Sequence, residues 1–287
     1  MKLKPWLLYA LITTIFWGVW GALIEIPEKA GFPATLGYIV WALTMIIPAV
    51  IALKIIDWKL ETNRKAIVYG LLIGISGALG QLILFQALRT GPAYLVFPIV
   101  SLSPLVTILL SMWLLKERAS TKSWIGIAIA LIAIPLLSYQ PAQSGQQSGL
   151  LWLILALIVF LSWGIQAYFI KLANAYMKAE SIFFYMMITG ILFIPLAILM
   201  TDFSREINWG IKGPYLTAGI QILNSIGALF LVYAFRYGKA IIVSPLTNSG
   251  APVITIILSL VIYGVFPHTI ILIGMILAVV AIFLLAD

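Results

Sequence analysis

The residues best able to recognise a ligand in this chain are uncharged. Gln221, Asn224 and Ser225 fall at i, i+3 and i+4, on one face of a helix, and Asn248 heads a stripe with Pro252, Thr255 and Ser259. Trp17 and Trp20 share a face, as do Trp163 and Gln166, and Gln81 and Gln86 add two further amides. Indole faces stack on sugar rings or attract ammonium groups, and amides both donate and accept hydrogen bonds. Such a set suits a small polar substrate, neutral or zwitterionic, of the amino acid or sugar class. The competing reading is structural: deep Trp fills core volume, and polar pairs between membrane helices contribute about 0.6 kcal/mol each. For the Ser103, Thr107 and Ser111 stripe and its Thr255 and Ser259 counterpart the structural reading is preferred. For Asn248, the Gln221 group and the tryptophans both stand.

Catalysis is poorly supplied. With no cysteine and one histidine, His268, a thiolate site, a cysteine nucleophile and a histidine metal cluster cannot be built. A Ser-His-Asp arrangement would need an acid at depth, and there is none. No catalytic residue, metal or cofactor is expected, and His268 reads as a solvated loop residue.

The elements that must position these residues are set by composition. Of 287 residues, 63% are hydrophobic and 9% charged. A soluble domain has roughly 45–50% and 25%, so the solvent is a bilayer. The net charge of +8 lies in short gaps between apolar runs, which points to the membrane surface rather than to nucleic acid. Ten runs reach the roughly 20 residues that a hydrocarbon core requires: 6–24, 34–53, 66–88, 94–115, 123–139, 149–170, 181–200, 213–235, 240–263 and 269–286. They are continuous rather than alternating, so an all-α protein is expected and not a β-barrel. The first run is long and lacks a small-residue cleavage site, so a retained helix is expected rather than a signal peptide.

With the N-terminus placed in the cytoplasm, 13 of the 17 Lys and Arg fall on that side and 4 on the other. The positive-inside rule then puts both termini in the cytoplasm of a multi-pass protein of the inner cell membrane. Trp17, Trp20, Trp41 and Trp163 lie deeper than an interfacial belt.

The chain also repeats itself. Phe16-Trp17-Gly18 matches Ser162-Trp163-Gly164 after 146 residues; Pro48 and Pro98 match Pro195 and Pro245 after 147. Ala87-Leu88-Arg89-Thr90-Gly91 matches Ala234-Phe235-Arg236-Tyr237-Gly238 after 147, and Pro104, Thr107 and Gly126 match Pro252, Thr255 and Gly274 after 148. The units are residues 1–140 and 149–287. Five spans each, an odd number, makes the second copy enter the bilayer inverted, the pattern of secondary transporters that work by alternating access.

No Asp, Glu, Lys or Arg lies near the middle of any span, which weighs against a buried proton carrier and against a bare cation as substrate. Glu25, at the outer end of span 1, is either a solvated carboxylate or a coupling residue. Pro98, Pro104, Pro245 and Pro252 each remove a backbone donor inside spans 4 and 9, and read as hinges.

Trp17-Gly18, the Ala-Leu-Arg-Thr-Gly-Pro stretch at 87–92, Pro98, and Leu115-Lys116-Glu117-Arg118 leading to Gly126 resemble the drug/metabolite transporter superfamily, EamA-type, ten-helix branch. The resemblance implies two inverted five-helix repeats around a central cavity and movement of small metabolites. It also implies an acidic residue after the fourth helix of each repeat. Glu117 supplies the first, but the equivalent position in the second copy is Val265. A flippase for a lipid-linked or amphipathic substrate and a broad-specificity exporter are the alternatives. The expected partners are the bilayer and a small-molecule substrate, with the protein a monomer or weak homodimer. If the prolines are hinges, replacing Pro98 and Pro245 by Ala slows transport; an unchanged initial rate in reconstituted vesicles removes that role.

Overall fold

The computed structural model describes residues 4–91, 93–139, 150–264 and 266–286, without the side chains of residues 93–95 and 98. Val265 and the side chain of Pro98 therefore lie outside the described residues. Among those described, the regular structure is helical throughout: α1 (Pro5–Leu23), α2 (Glu25–Lys29), α3 (Ala34–Thr44), α4 (Ile46–Ile55), α5 (Arg64–Thr90), α6 (Ala93–Ser101), α7 (Pro104–Leu114), α8 (Thr121–Leu137), α9 (Leu151–Ala173), α10 (Ala179–Leu192), α11 (Ile194–Leu199), a π turn (Ile211–Tyr215), α12 (Leu216–Tyr237), α13 (Ala240–Tyr263) and α14 (Thr269–Leu285). Seven helical stretches are long and apolar enough to cross a bilayer, and three shorter apolar helices accompany them at Ile99–Leu114, Thr121–Leu137 and Thr269–Leu285. All ten coincide with the apolar runs of the sequence.

The helix ends have local causes. Pro5 opens α1 in the first turn, where its missing N–H costs nothing. The Asn63 side chain caps α5 by accepting from Ala66 N, and the Ser120 side chain caps α8 from Ser123 N. His268 caps α14, its ring accepting from Ile270 N at 3.2 Å, and packs on Tyr139. Gly264 ends α13 at φ 66°, in the left-handed region that glycine occupies without penalty.

Three spans expected as single helices are each divided. Span 2 breaks at Met45, before Pro48; span 7 breaks at Phe193, before Pro195; span 4 breaks between Ser101 and Pro104. A proline cannot donate to the preceding turn, so the helix restarts around it. Span 9 behaves differently: α13 carries Pro245 and Pro252 inside 24 continuous helical residues. The matched proline pairs thus sit in a broken span on one side and an unbroken one on the other.

Packing pairs helices from the two halves of the chain. α1 lies against α12 and α13, α9 against α5, α6 and α7, and α8 against α14. Glycines bring these seams close. A Cβ on Gly18 would come 2.5 Å from Ile254 Cβ, and one on Gly164 would come 2.4 Å from Val106 Cβ. Thr255 Oγ1 donates to Gly18 O at 2.9 Å, and Thr107 Oγ1 to Gly164 O at 3.0 Å. The repeated Thr and Gly positions thus meet as matching seams, as small residues do in membrane bundles.

Gly18→Ala or Gly164→Ala should therefore lower stability by about 1–3 kcal/mol through overpacking. A Cβ added to Gly219 would meet nothing within 4 Å, so Gly219→Ala should hold stability or raise it by up to about 1 kcal/mol. Thermal unfolding in detergent reads both.

Candidate substrate site

Trp17 and Trp20, one turn apart on α1, turn their indoles toward α12. Trp17 Nε1 donates to Asn224 O at 3.3 Å, and Trp20 Nε1 to Gln221 Oε1 at 3.0 Å. The Gln221 amide reaches on to α3, Nε2 donating to Gly37 O at 3.2 Å. Four candidates, Trp17, Trp20, Gln221 and Asn224, therefore form one network joining α1, α12 and α3. Gln221 is buried and uses both ends of its amide, so it ties helices together. The Asn224 side chain is partly buried and, among the described residues, without a hydrogen-bond partner.

The other candidates form a second cluster at the α5–α9 seam. Trp163 packs on Gly80 and Gln166 on Gly77, where a Cβ would come within 2.7 Å of the indole nitrogen and 2.1 Å of the amide nitrogen. Gln81 follows on α5. Both amides, Gln81 and Gln166, are partly buried with no hydrogen-bond partner among the described residues. Asn248 stands apart on α13, donating within its own helix to Ser244 O at 2.9 Å. Trp41 falls outside the candidate set, yet its Nε1 is buried and unpartnered. Its depth in span 2 is the signal available in the sequence.

Two cavities are described, and none of the eight candidates lines either. One of about 500 Å³ is bordered by Lys4, Trp6, Ser120, Lys122, Tyr237 and Lys239 among others. One of about 210 Å³ lies against Phe97, Leu137, Ser138 and Tyr139. Among the described residues no group of three or more His, Cys, Asp or Glu could hold a metal ion.

The clearest asymmetry lies along the bundle axis. The largest apolar cluster joins the starts of α1, α5, α10 and α13 to the ends of α4, α9, α12 and α14, through Leu7, Ala66, Ala173, Phe183, Phe235 and Ile241. At the opposite end the core is split into three smaller clusters. We call the first the Lys171 end and the second the Glu25 end.

The Lys171 end is also clasped by charge. Lys171 Nζ, in the last turn of α9, donates to Phe235 O at 3.1 Å and Gly238 O at 2.6 Å, the carbonyl end of α12. Glu117 Oε1 stands 3.9 Å from the same ammonium, and its Oε2 accepts from Ile241 N at the start of α13. Each charge thus meets the helix terminus of opposite partial charge. Lys116 adopts φ 55° in the turn before Glu117, a strained conformation for a residue with a side chain, as functional turns often hold. At the other end Glu25 bonds only Lys29, one turn away, and both side chains are well exposed.

Gln221→Ala would strand the Trp20 N–H and the Gly37 carbonyl, so a loss of about 1–3 kcal/mol in thermal unfolding is expected. Asn224→Ala should leave unfolding unchanged while weakening substrate binding, since its amide supports no other side chain.

The EamA-like transporter family matches residues 4–139 and again 150–286. An uncharacterised protein of Methanocaldococcus jannaschii is 33% identical over 101 residues, 34% of this chain and 74% of that one. The Proteus mirabilis protein named "Probable 4-amino-4-deoxy-L-arabinose-phosphoundecaprenol flippase subunit ArnE" is 28% identical over 89 residues, 30% of this chain and 79% of its own. A solved structure described as "Crystal structure of protein" superposes with a TM-score of 0.80 over 99% of this chain and 96% of that one, at 17% identity, and so shares the fold. The chain belongs to the EamA-like transporter family and is a multi-pass membrane transporter of the drug/metabolite transporter superfamily.

Proposed function

We propose that the protein is a secondary transporter that moves a small polar, neutral or zwitterionic metabolite, of the amino acid or sugar class, by alternating access. Residues 1–140 and 149–287 form two inverted five-helix repeats, ten spans in all, with both termini cytoplasmic. The observation that carries this reading is the axial asymmetry: one apolar cluster and a charged clasp at the Lys171 end, a divided core at the Glu25 end. A static scaffold of two like halves has no reason to clasp one end only, whereas a transporter caught in one of two states does. Open amides on Gln81, Gln166 and Asn224 beside the indoles of Trp17, Trp20 and Trp163 support an uncharged polar substrate.

On this orientation the Lys171 end, with its clasp, faces the cytoplasm. Glu25, exposed and paired with Lys29, is poorly placed to carry a proton through the bundle, which favours facilitated movement over proton coupling.

The name of the Proteus mirabilis relative supports a second reading, a flippase for a lipid-linked sugar. Purified protein in liposomes separates the two. Saturable uptake of a labelled amino acid or sugar, present without a pH gradient and reduced by Trp163→Ala, is the expected result. Flipping of a fluorescent polyprenyl-phosphate sugar with no uptake of any water-soluble solute would overturn the proposal in favour of the flippase.

A further inference from the structure

Contacts found at both ends of the molecule cannot tell two conformations apart; contacts found at one end only can. Glu61 illustrates the first kind. Its carboxylate accepts from Lys178 N at 3.3 Å and from the Ser181 hydroxyl, and its carbonyl accepts from Tyr185 Oη at 2.8 Å. Asn208, 147 residues later, makes the equivalent clamp at the other end: Nδ2 donates to Ala30 O at 2.9 Å, and its backbone N to Gly31 O at 3.1 Å. These clamps join the halves at both ends.

The clasp at Lys171 is of the second kind. There α9 packs on α12, Asn174 Nδ2 donates to Val232 O at 3.1 Å, and the Lys171 ammonium sits among the last carbonyls of α12. Among the described residues the matching pair at the other end, α1 and α5, is less closely packed. The repeat offsets name the residues that would meet there. Lys171 corresponds to Glu25 at 146, Arg236 to Arg89 and Gly238 to Gly91 at 147, and Glu117 to Val265 at 148.

The chemistry is therefore exchanged rather than copied. A carboxylate brought to the carbonyl end of α5 would be repelled by it, and Val265 offers no charge. Arg89, in the last turn of α5, removes the conflict. Its guanidinium now donates to Met200 O at 2.8 Å, an exposed contact at the end of α11. Glu25 holds only Lys29. Both groups are exposed and opposite in charge; Glu25 opens α2, directly after α1, and Arg89 lies in the last turn of α5.

We propose that Glu25 and Arg89 form the clasp that seals the Glu25 end in the opposite conformation, a charge pair in the place of the lysine–carbonyl clasp at the Lys171 end. This rests on the alternating-access reading above. Each half then carries its own lock, and breaking one lock shifts the population toward the other state.

The absence of cysteine allows a direct test. Val232→Cys places a thiol in the α9–α12 seam, where residue 232 is fully buried. In nanodiscs, a water-soluble charged maleimide reaches it only while the Lys171 end is open. Lys171→Met should raise the labelling rate about tenfold, as loss of a charge-assisted bond implies. Glu25→Gln or Arg89→Gln should lower it about fivefold, as loss of an exposed ion pair implies. The exchange Glu25→Arg with Arg89→Glu should return the parent rate. Rates unchanged in both single variants, or an exchange that stays slow, would overturn the clasp while the response to Lys171→Met upholds alternation. No response to Lys171→Met either would overturn alternation itself.

Discussion

No water reaches a peptide group inside hydrocarbon, so each N–H and C=O in the bundle must find its partner within protein. Helices meet that demand along their length, and everything else in this molecule follows from what happens where they stop or touch. Breaks before Pro48 and Pro195, and ahead of Pro104, free carbonyls that the bundle must absorb. Seams such as Thr255 to Gly18 and Thr107 to Gly164 work because a hydroxyl bonds a carbonyl exposed beside a residue with no side chain. Glycine and threonine thus act together: one admits the neighbour, the other satisfies the backbone.

The same constraint governs charge. An ammonium at depth needs acceptors, and helix ends are the only places where unbonded carbonyls collect. Lys171 uses the end of α12, and Glu117 uses the amide end of α13. These termini belong to one half, whereas Glu117 comes from the other, so the clasp joins the two units through backbone rather than through a simple side-chain pair.

Which candidate side chains share a helix face was visible before folding, but not the division of labour among them. The i, i+3, i+4 spacing placed Gln221, Asn224 and Ser225 on one face, and they do share the α12 surface that meets α1 and α3. That Gln221 is consumed in bridging Trp20 to Gly37, while the Asn224 amide stays open, depends on helix separations of a fraction of an ångström. Spacing along one helix carries no record of the helix opposite. Trp41 shows the converse: its depth was visible, yet the lack of any partner for its N–H emerges only when the surrounding helices are in place.

By itself the sequence determined the solvent, the ten apolar runs, the doubling of the chain and the absence of core charge, because these depend on composition and period alone. It did not determine that spans 2, 4 and 7 divide while span 9, with the same prolines, runs on, nor that the apolar core is continuous at one end and divided at the other. Two nearly equal halves encode two nearly equal arrangements. The clasp at Lys171 is an interaction among residues far apart in sequence that exists only once the helices have met.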